Sequence, residues 1–227
     1  MKKTNQGQGC LFEHDFLRRT LGAIANTPEI ALTELVANAW DAGASRVEIV
    51  LPEELGNWLT IKDDGTGMSA AEFRRKWMTL GYDRVKNQGS YAEFPPGRET
   101  SKRPAYGRNG VGRHGMLCFA SEYEVKTRKD GVEAFFLVEA TSGKDPFRIS
   151  TESARKISGH GTTLKARVER NLPSAEYVTT VLSARFLHDP QFTVYVNGKS
   201  IPLANHQGLV NEKVLKFGAG CTAHAFL

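Results

Sequence analysis

The 227-residue chain lacks the features that mark membrane, disulfide-rich or zinc-binding proteins. Its three cysteines, Cys10, Cys118 and Cys221, are far apart and odd in number, which predicts reduced thiols. No apolar run approaches the ~20 residues that span a bilayer, and no apolar signal region follows the first residues. We therefore expect a cytoplasmic protein that does not enter a membrane.

A strong charge of one sign is absent as well. The net charge is +5, but no basic block stands out, and the sequence has no internal repeats. A slight excess of Lys and Arg permits contact with DNA and suits a nucleotide pocket, although an ordinary surface is the simpler explanation. The composition therefore leaves DNA as a possible partner and excludes nothing further.

What the sequence does contain begins with a helix that carries three polar side chains on one face. Thr27-Pro28 is a helix start signal with a capping hydroxyl, and Gly43 is a natural helix terminator. Between them, Glu34, Asn38 and Asp41 have the spacing of a single helical stripe. Their neighbours are mostly apolar, and burying such a stripe is costly unless it holds something. The pattern predicts a bound metal ion, an activated water, or both.

A second motif, Asp63-Asp64-Gly65-Thr66-Gly67-Met68, follows the predicted strand Trp58–Lys62. The glycines allow the backbone to approach a ligand closely. An ionised carboxylate accepts hydrogen bonds, and adenine offers an exocyclic amino donor where guanine has a carbonyl. Asp63 is therefore a candidate acceptor for adenine.

The third feature is a glycine-rich passage, Gly107 to Gly115. Its Gly110–Gly115 part matches a dinucleotide-binding pattern, but polar, proline-broken residues precede it where that fold needs a strand. No Walker-type phosphate loop occurs anywhere in the chain. A glycine loop that leads into a helix still offers N–H donors to phosphates. The residues that could add charge are Lys102, Arg103, Arg108, Arg113 and His114. The alternative is a loop that simply turns.

The remaining pattern predicts the fold elements. Residues 81–106 have no apolar periodicity and indicate a lid, a binding segment or disorder. Period-two alternation and hairpin turns at 129–131 and 197–198 predict a sheet. We expect helices at 13–25, 73–80, 116–120 and 174–188, and strands at 47–51, 58–62, 123–128, 132–139, 147–151, 162–168, 192–196 and 199–203.

These motifs resemble those of the GHKL ATPases, which include gyrase B, the heat-shock-90 chaperones, histidine kinases and MutL. The family's N-box, Glu-x-x-x-Asn-x-x-Asp-Ala, is matched at 34–42, and its Asp-x-Gly-x-Gly motif at 63–67. Its glycine-rich lid is similar to 107–112, and its Gly-Thr motif to Gly161-Thr162. The lid and the sequence around His160 look most like the microrchidia-type branch.

The resemblance implies an α+β fold of the Bergerat type, a two-layer α/β sandwich whose mixed sheet is covered on one face by helices. It implies an ATPase domain at 1–203 with a flexible ATP lid at about 81–115. Residues 204–227 would be the start of a truncated following domain.

The resemblance also implies ATP and Mg²⁺ as cofactors. Glu34 would be the catalytic base and Asn38 the metal ligand. The residues that would bind the nucleotide are Asn38, Asp41, Ala42, Asp63, Gly65, Gly67, Met68, Lys102, Gly107, Arg108, Asn109, Gly110, Val111, Gly112, Arg113, His114 and Thr162.

Three functions remain open at this point. The leading one is ATP hydrolysis that drives a conformational or dimerisation switch in a larger DNA-associated or chaperone-like machine. A histidine-kinase catalytic domain is the second, but such kinases usually have Asn where this chain has Glu34. The third is a nucleotide-dependent interaction module without hydrolysis. We expect the isolated fragment to hydrolyse ATP slowly and to be mainly monomeric, with an ATP-dependent homodimer in the full-length protein.

Overall fold

The computed structural model describes residues 13, 26–98, 102–107, 110, 112–142, 145–186, 191–201, 212–217 and 221–226, the last two ranges as backbone only. The predicted helix at 13–25 lies almost wholly outside these ranges. So do Arg108, Asn109 and Val111 of the glycine-rich passage. Within the described ranges, no helix has the length and hydropathy needed to cross a membrane.

Ten strands are defined in the described ranges. They are β1 (Arg46–Val50), β2 (Trp58–Asp63), β3 (Glu122–Lys129), β4 (Val132–Ala140), β5 (Phe147–Lys156), β6 (Gly161–Arg167), β7 (Thr193–Val196), β8 (Lys199–Ser200), β9 (Glu212–Phe217) and β10 (Cys221–Phe226). The first eight form one sheet in the order β5-β4-β3-β6-β2-β1-β7-β8. Only the β1–β7 pair in this sheet is parallel, so the predicted mixed sheet is confirmed.

The structure agrees with the predicted hairpin turns more closely than with the predicted ends of the strands. Asp130 and Gly131 have φ angles of 52° and 77°, and Asn197 and Gly198 have 47° and 79°. Two consecutive residues with positive φ are typical of tight hairpin turns, as the sequence predicts. Strand β5 continues five residues beyond its predicted end. β9 and β10 form a separate antiparallel pair where the sequence pattern predicts no strand.

The helical elements are α1 (Pro28–Asp41), α2 (Ala70–Glu72), α3 (Arg84–Gln88), α4 (Ala175–Ser183), a π-helical turn (Phe73–Trp77) and a 3₁₀ helix (Gly112–Cys118). Gly43 has φ +68° and ends α1 as predicted. The predicted hydroxyl cap is wrong, because Thr27 makes no side-chain capping bond. The capping box at Ser69 is confirmed: Ser69 Oγ accepts from Glu72 N at 3.2 Å, and Glu72 Oε2 accepts from Ser69 N at 2.9 Å.

One face of the sheet and α1 share the hydrophobic core. Alternate residues of the central strands are buried, among them Ile49 and Ile61, and they join Leu35 of α1 in one cluster. The 3₁₀ helix packs tightly on α1: a Cβ at Gly115 would lie 2.8 Å from Ala31 O. The N-box helix is therefore held between the sheet and the segment that follows the glycine-rich passage.

We predict that Phe136→Ala lowers the free energy of unfolding by about 3–5 kcal/mol. Phe136 is fully buried, and its ring centroid lies 3.9 Å from that of Phe73, so truncation opens a cavity in the core. Chemical denaturation measures the change. Val132→Ala, at an exposed position on the same strand, is the control and should cost less than about 1 kcal/mol. Equal losses in the two variants would contradict this view of the core.

Candidate functional site

A cleft that is partly open to solvent lies beside α1, the end of β2 and the loop that contains α3. Eight of the residues predicted from motifs line it, so the motifs do meet in space. They are Asn38, Asp41, Ala42, Asp63, Gly67, Met68, Arg113 and Thr162.

Asp63 ends β2 and is held by two backbone donors. Its Oδ1 accepts hydrogen bonds from Gly65 N at 2.8 Å and from Thr162 N at 3.2 Å. Among the described residues, no group donates a hydrogen bond to its other oxygen, Oδ2. Burial raises the pKa of Asp63 to about 6. One fixed carboxylate oxygen is thus left for a ligand.

The turn after Asp63 needs its glycines because other backbone lies against it. A Cβ at Gly65 would lie 2.7 Å from Ala42 O, which already accepts from Thr66 N at 2.8 Å. Gly67 has φ +65°, and a Cβ there would lie 2.0 Å from Arg128 O. The contacts of Gly65 and Thr66 join this turn to the end of the N-box helix, and the contact of Gly67 joins it to β3.

Asn38 presents an unsatisfied polar group to the cleft. Its Nδ2 is buried and has no hydrogen-bond partner in the described part of the protein. Buried amides are normally paired, so an exception at the wall of a cleft points to a missing ligand. The oxygen and nitrogen of a carboxamide are interchangeable by rotation, and either could face the ligand.

Glu34 is one turn before Asn38 and is absent from the lining of the cleft. Gly112 lies over its carboxylate: a Cβ at Gly112 would be 2.1 Å from Glu34 Oε2. Burial, followed by repulsion from Asp41, raises the pKa of Glu34 above its usual value. A carboxylate with a raised pKa is a better proton acceptor than an exposed one.

Asp41 holds the start of the glycine-rich passage. Its Oδ1 accepts from Tyr106 N at 2.6 Å, and its Oδ2 accepts from Gly107 N at 3.0 Å. Arg84 Nε lies 3.4 Å from the same Oδ2. Burial raises the pKa of Asp41, while these contacts favour its charged form.

Of the passage itself, Arg113 lines the cleft and Gly110 packs on Tyr82. The Arg113 guanidinium lies 5.1 Å from the centroid of the Tyr82 ring, and burial lowers its pKa. An arginine with a lowered pKa still carries its charge at neutral pH. Arg113 therefore supplies positive charge at the wall of the cleft.

Three residues that were predicted to add charge to the site lie elsewhere. Arg103 does not line the cleft, and its Nη1 donates to Ala44 O at 2.7 Å. His114 is buried: its Nδ1 is 2.8 Å from Tyr123 Oη and its Nε2 is 2.9 Å from Trp77 O. Burial lowers the pKa of His114 to about 3, so the ring is neutral and cannot add the predicted charge. Lys102 is exposed, with Nζ 5.4 Å from the centroid of the Tyr91 ring, and does not line the cleft.

Several lining residues belong to no motif and were missed. They are contributed by the helical turn after α2 and by the loop around α3, and include Lys76, Trp77, Arg84, Gln88 and Glu93. Lys76 sits four residues after Glu72, and their charged groups are 3.2 Å apart. That spacing is visible in the sequence, but it predicts only a helical ion pair.

No group of three His, Cys, Asp or Glu side chains that could hold a metal ion occurs among the residues described. A cation beside Asn38 would therefore need oxygen ligands from a bound molecule or from water. Mg²⁺ is commonly held in this way, with one or two protein ligands and substrate phosphates.

Comparison with known proteins gives a family match and several partial relatives. The family model "Histidine kinase-, DNA gyrase B-, and HSP90-like ATPase" matches residues 26–162. The "Putative type II restriction enzyme HgiDII" of Herpetosiphon aurantiacus is 31% identical over 105 residues, which are 46% of this chain and 15% of that protein.

Two DNA mismatch repair proteins MutL are similar over shorter stretches. The protein of Paramagnetospirillum magneticum is 47% identical over 51 residues, 22% of this chain and 8% of its own length. The protein of Sphingopyxis alaskensis is 44% identical over 55 residues, 24% of this chain and 9% of its own length. The match thus spans only a small part of each of these relatives.

The family match covers more than half of the chain and includes all four motifs, from Glu34 to Thr162. This chain belongs to the histidine kinase-, DNA gyrase B- and HSP90-like ATPases, the GHKL superfamily.

Proposed function

We propose that the chain binds ATP with Mg²⁺ in the cleft and hydrolyses it. The observation that carries this proposal is Asp63, whose Oδ1 is fixed by two backbone donors while Oδ2 is left without a donor among the described residues. An acceptor of this kind suits the exocyclic amino group of adenine and would repel the carbonyl of guanine. Met68, Gly67 and Thr162 line the cleft beside it.

The phosphates would extend from Asp63 towards Asn38 and the glycine-rich passage. Arg113 lines the cleft and would supply positive charge for the phosphates, and the start of the 3₁₀ helix offers backbone donors. Asn38 would hold Mg²⁺ through Oδ1, since rotation of the amide puts Oδ1 in the place of Nδ2, which is buried without a partner in the described structure. Mg²⁺ held there would neutralise charge on the β- and γ-phosphates.

Glu34 would accept the proton of the attacking water. Its position one turn from Asn38 and its raised pKa support this role. Because Gly112 lies over the partly buried carboxylate, a shift of the glycine-rich passage would open Glu34 further to water. We therefore propose that the nucleotide state controls residues 81–115, as the γ-phosphate does in other switches.

The wider role is proposed from the relatives. The names of the restriction enzyme and of the MutL proteins both concern DNA, which favours a DNA-associated machine over a chaperone-like one. The microrchidia-type branch, an ATP-dependent homodimer and a cytoplasmic location are consistent with the motifs and remain part of this proposal. The mild positive charge is compatible with a DNA client.

We predict that Glu34→Gln lowers the rate of ATP hydrolysis by about 10²–10⁴-fold, the usual contribution of a general base. Affinity for a non-hydrolysable ATP analogue should change less than about threefold, because the amide keeps the size of the side chain. Phosphate release and calorimetry measure the two quantities. Glu29→Gln, on the same helix, is the matched control and should leave both unchanged. Equal loss of binding and hydrolysis would argue against Glu34 as the base.

Asp63 should make nucleotide affinity depend on pH. Its ionised form accepts the adenine amino group, and its pKa is about 6 in the free protein. Affinity should therefore be maximal above about pH 7 and should fall as pH drops through 6, by about tenfold per unit at the lower end.

Calorimetric titrations of an ATP analogue between pH 5 and 8, on wild type and on Asp63→Asn, test this. The ratio of the two affinities is the relevant quantity, because protonation of the ligand cancels in it. The ratio should rise with pH up to about 7. A ratio that stays constant across this range would show that Asp63 does not contact the base.

A further inference from the structure

Three arginines of segment 84–103, which begins with α3, bind the last residue of α1 and the backbone just after it. The last carbonyls of a helix have no partner within it, and α1 has no basic residue in its last turn. Arg84 Nη2 donates to Asp41 O at 3.2 Å, Arg98 Nη1 to Gly43 O at 2.7 Å, and Arg103 Nη1 to Ala44 O at 2.7 Å. The loop is therefore fastened to the helix that carries Glu34 and Asn38.

Arg84 differs from the other two because it also organises the wall of the cleft. Its guanidinium donates to Gly89 O at 3.0 Å and to Tyr91 O at 2.8 Å. Its side chain is 9% exposed and lines the cleft, as do Gln88 and Glu93 on the segment that it holds. Glu93 N also donates to Asp41 O at 3.1 Å.

The partner of Arg84 is Asp41, whose carboxylate holds Tyr106 N and Gly107 N. The pair thus joins three segments: the end of α1, the loop 84–93, and the start of the glycine-rich passage. A planar guanidinium can donate to several separated acceptors at once. The compact ammonium of a lysine cannot reach the same set of acceptors.

We propose that Arg84 is a positioning residue for the nucleotide. It sets the loop 84–93 against α1 and, through Asp41, fixes the point from which the glycine-rich passage departs. It acts through protein groups rather than on the transferred phosphate. Within residues 81–115, segment 84–93 is then the part whose position the nucleotide changes least, and the larger nucleotide-dependent movement is expected after Gly107. This inference rests on the proposed function of ATP binding.

The test compares Arg84→Ala and Arg84→Lys with Arg98→Ala in the full chain. Arg98 is the matched control: it lies on the same loop and binds backbone just after the same helix, but it neither lines the cleft nor contacts Asp41. It also donates to Asp64 Oδ2 at 2.8 Å, and Asp64 keeps Ser45 and Arg46 as donors when that bond is lost. Affinity for a Mg²⁺-bound ATP analogue, melting temperature and amide exchange at residues 89–93 are measured for each.

We expect Arg84→Ala to weaken nucleotide binding by about tenfold, the effect of losing a charged hydrogen bond, and to speed exchange at 89–93 without nucleotide. Compared with Arg84→Ala, Arg84→Lys should recover more of the wild-type melting temperature than of the wild-type affinity for the nucleotide. Arg98→Ala should keep its affinity within about twofold. If Arg84→Ala does not fold, the affinity and the melting temperature of Arg84→Lys decide the question.

Unchanged affinity in the Arg84 variants would overturn this inference and leave the proposed function intact. The inference also fails if affinity in Arg98→Ala falls as far as in Arg84→Ala at an equal loss of melting temperature. Failure of the wild type to bind the analogue would instead overturn the proposed function itself.

Discussion

The site depends on a partly buried carboxylate at the end of β2. Placing Asp63 there costs free energy, as its raised pKa shows, and two backbone N–H groups offset only part of that cost. A ligand that donates to the second oxygen would offset more of it. The surrounding close contacts, Gly65 on Ala42 and Gly67 on Arg128, keep this carboxylate in one position. The fold thus preorganises this acceptor, so the side chain does not need to move when a ligand binds.

The helix α1 shows how the fold combines a core element with a polar site. Most of its residues are buried, so only a narrow face remains for Glu34, Asn38 and Asp41. Each of these has a different environment: Glu34 is covered by Gly112, Asn38 lacks a partner in the described structure, and Asp41 binds loop backbone. Their different partners support different roles for three side chains on one helical stripe.

Much of this could be predicted from the sequence because it depends on local patterns. Periodicity placed α1 and the strands, and glycine with positive φ marked the end of α1 and both hairpin turns. The motifs identified Asp63 because an acidic residue before spaced glycines has a recognisable local geometry. None of these inferences required knowledge of distant contacts.

The errors at the site concern contacts between residues far apart in sequence. His114 resembles a phosphate contact in its glycine-rich setting, yet Trp77 and Tyr123 enclose it in the core. Arg84 looks like one charge in an irregular loop, although it binds a helix end 43 residues away in the chain. Lys76 and Glu93 reach the cleft only through folding of their segments. Tertiary partners of this kind leave no local signal.

The most direct test of the central claim is calorimetry with non-hydrolysable analogues of ATP and GTP, each in the presence of Mg²⁺. If Oδ2 of Asp63 accepts from the base, the ATP analogue should bind at least about tenfold more tightly than the GTP analogue. Equal affinity for the two, or no binding of either, would contradict the account.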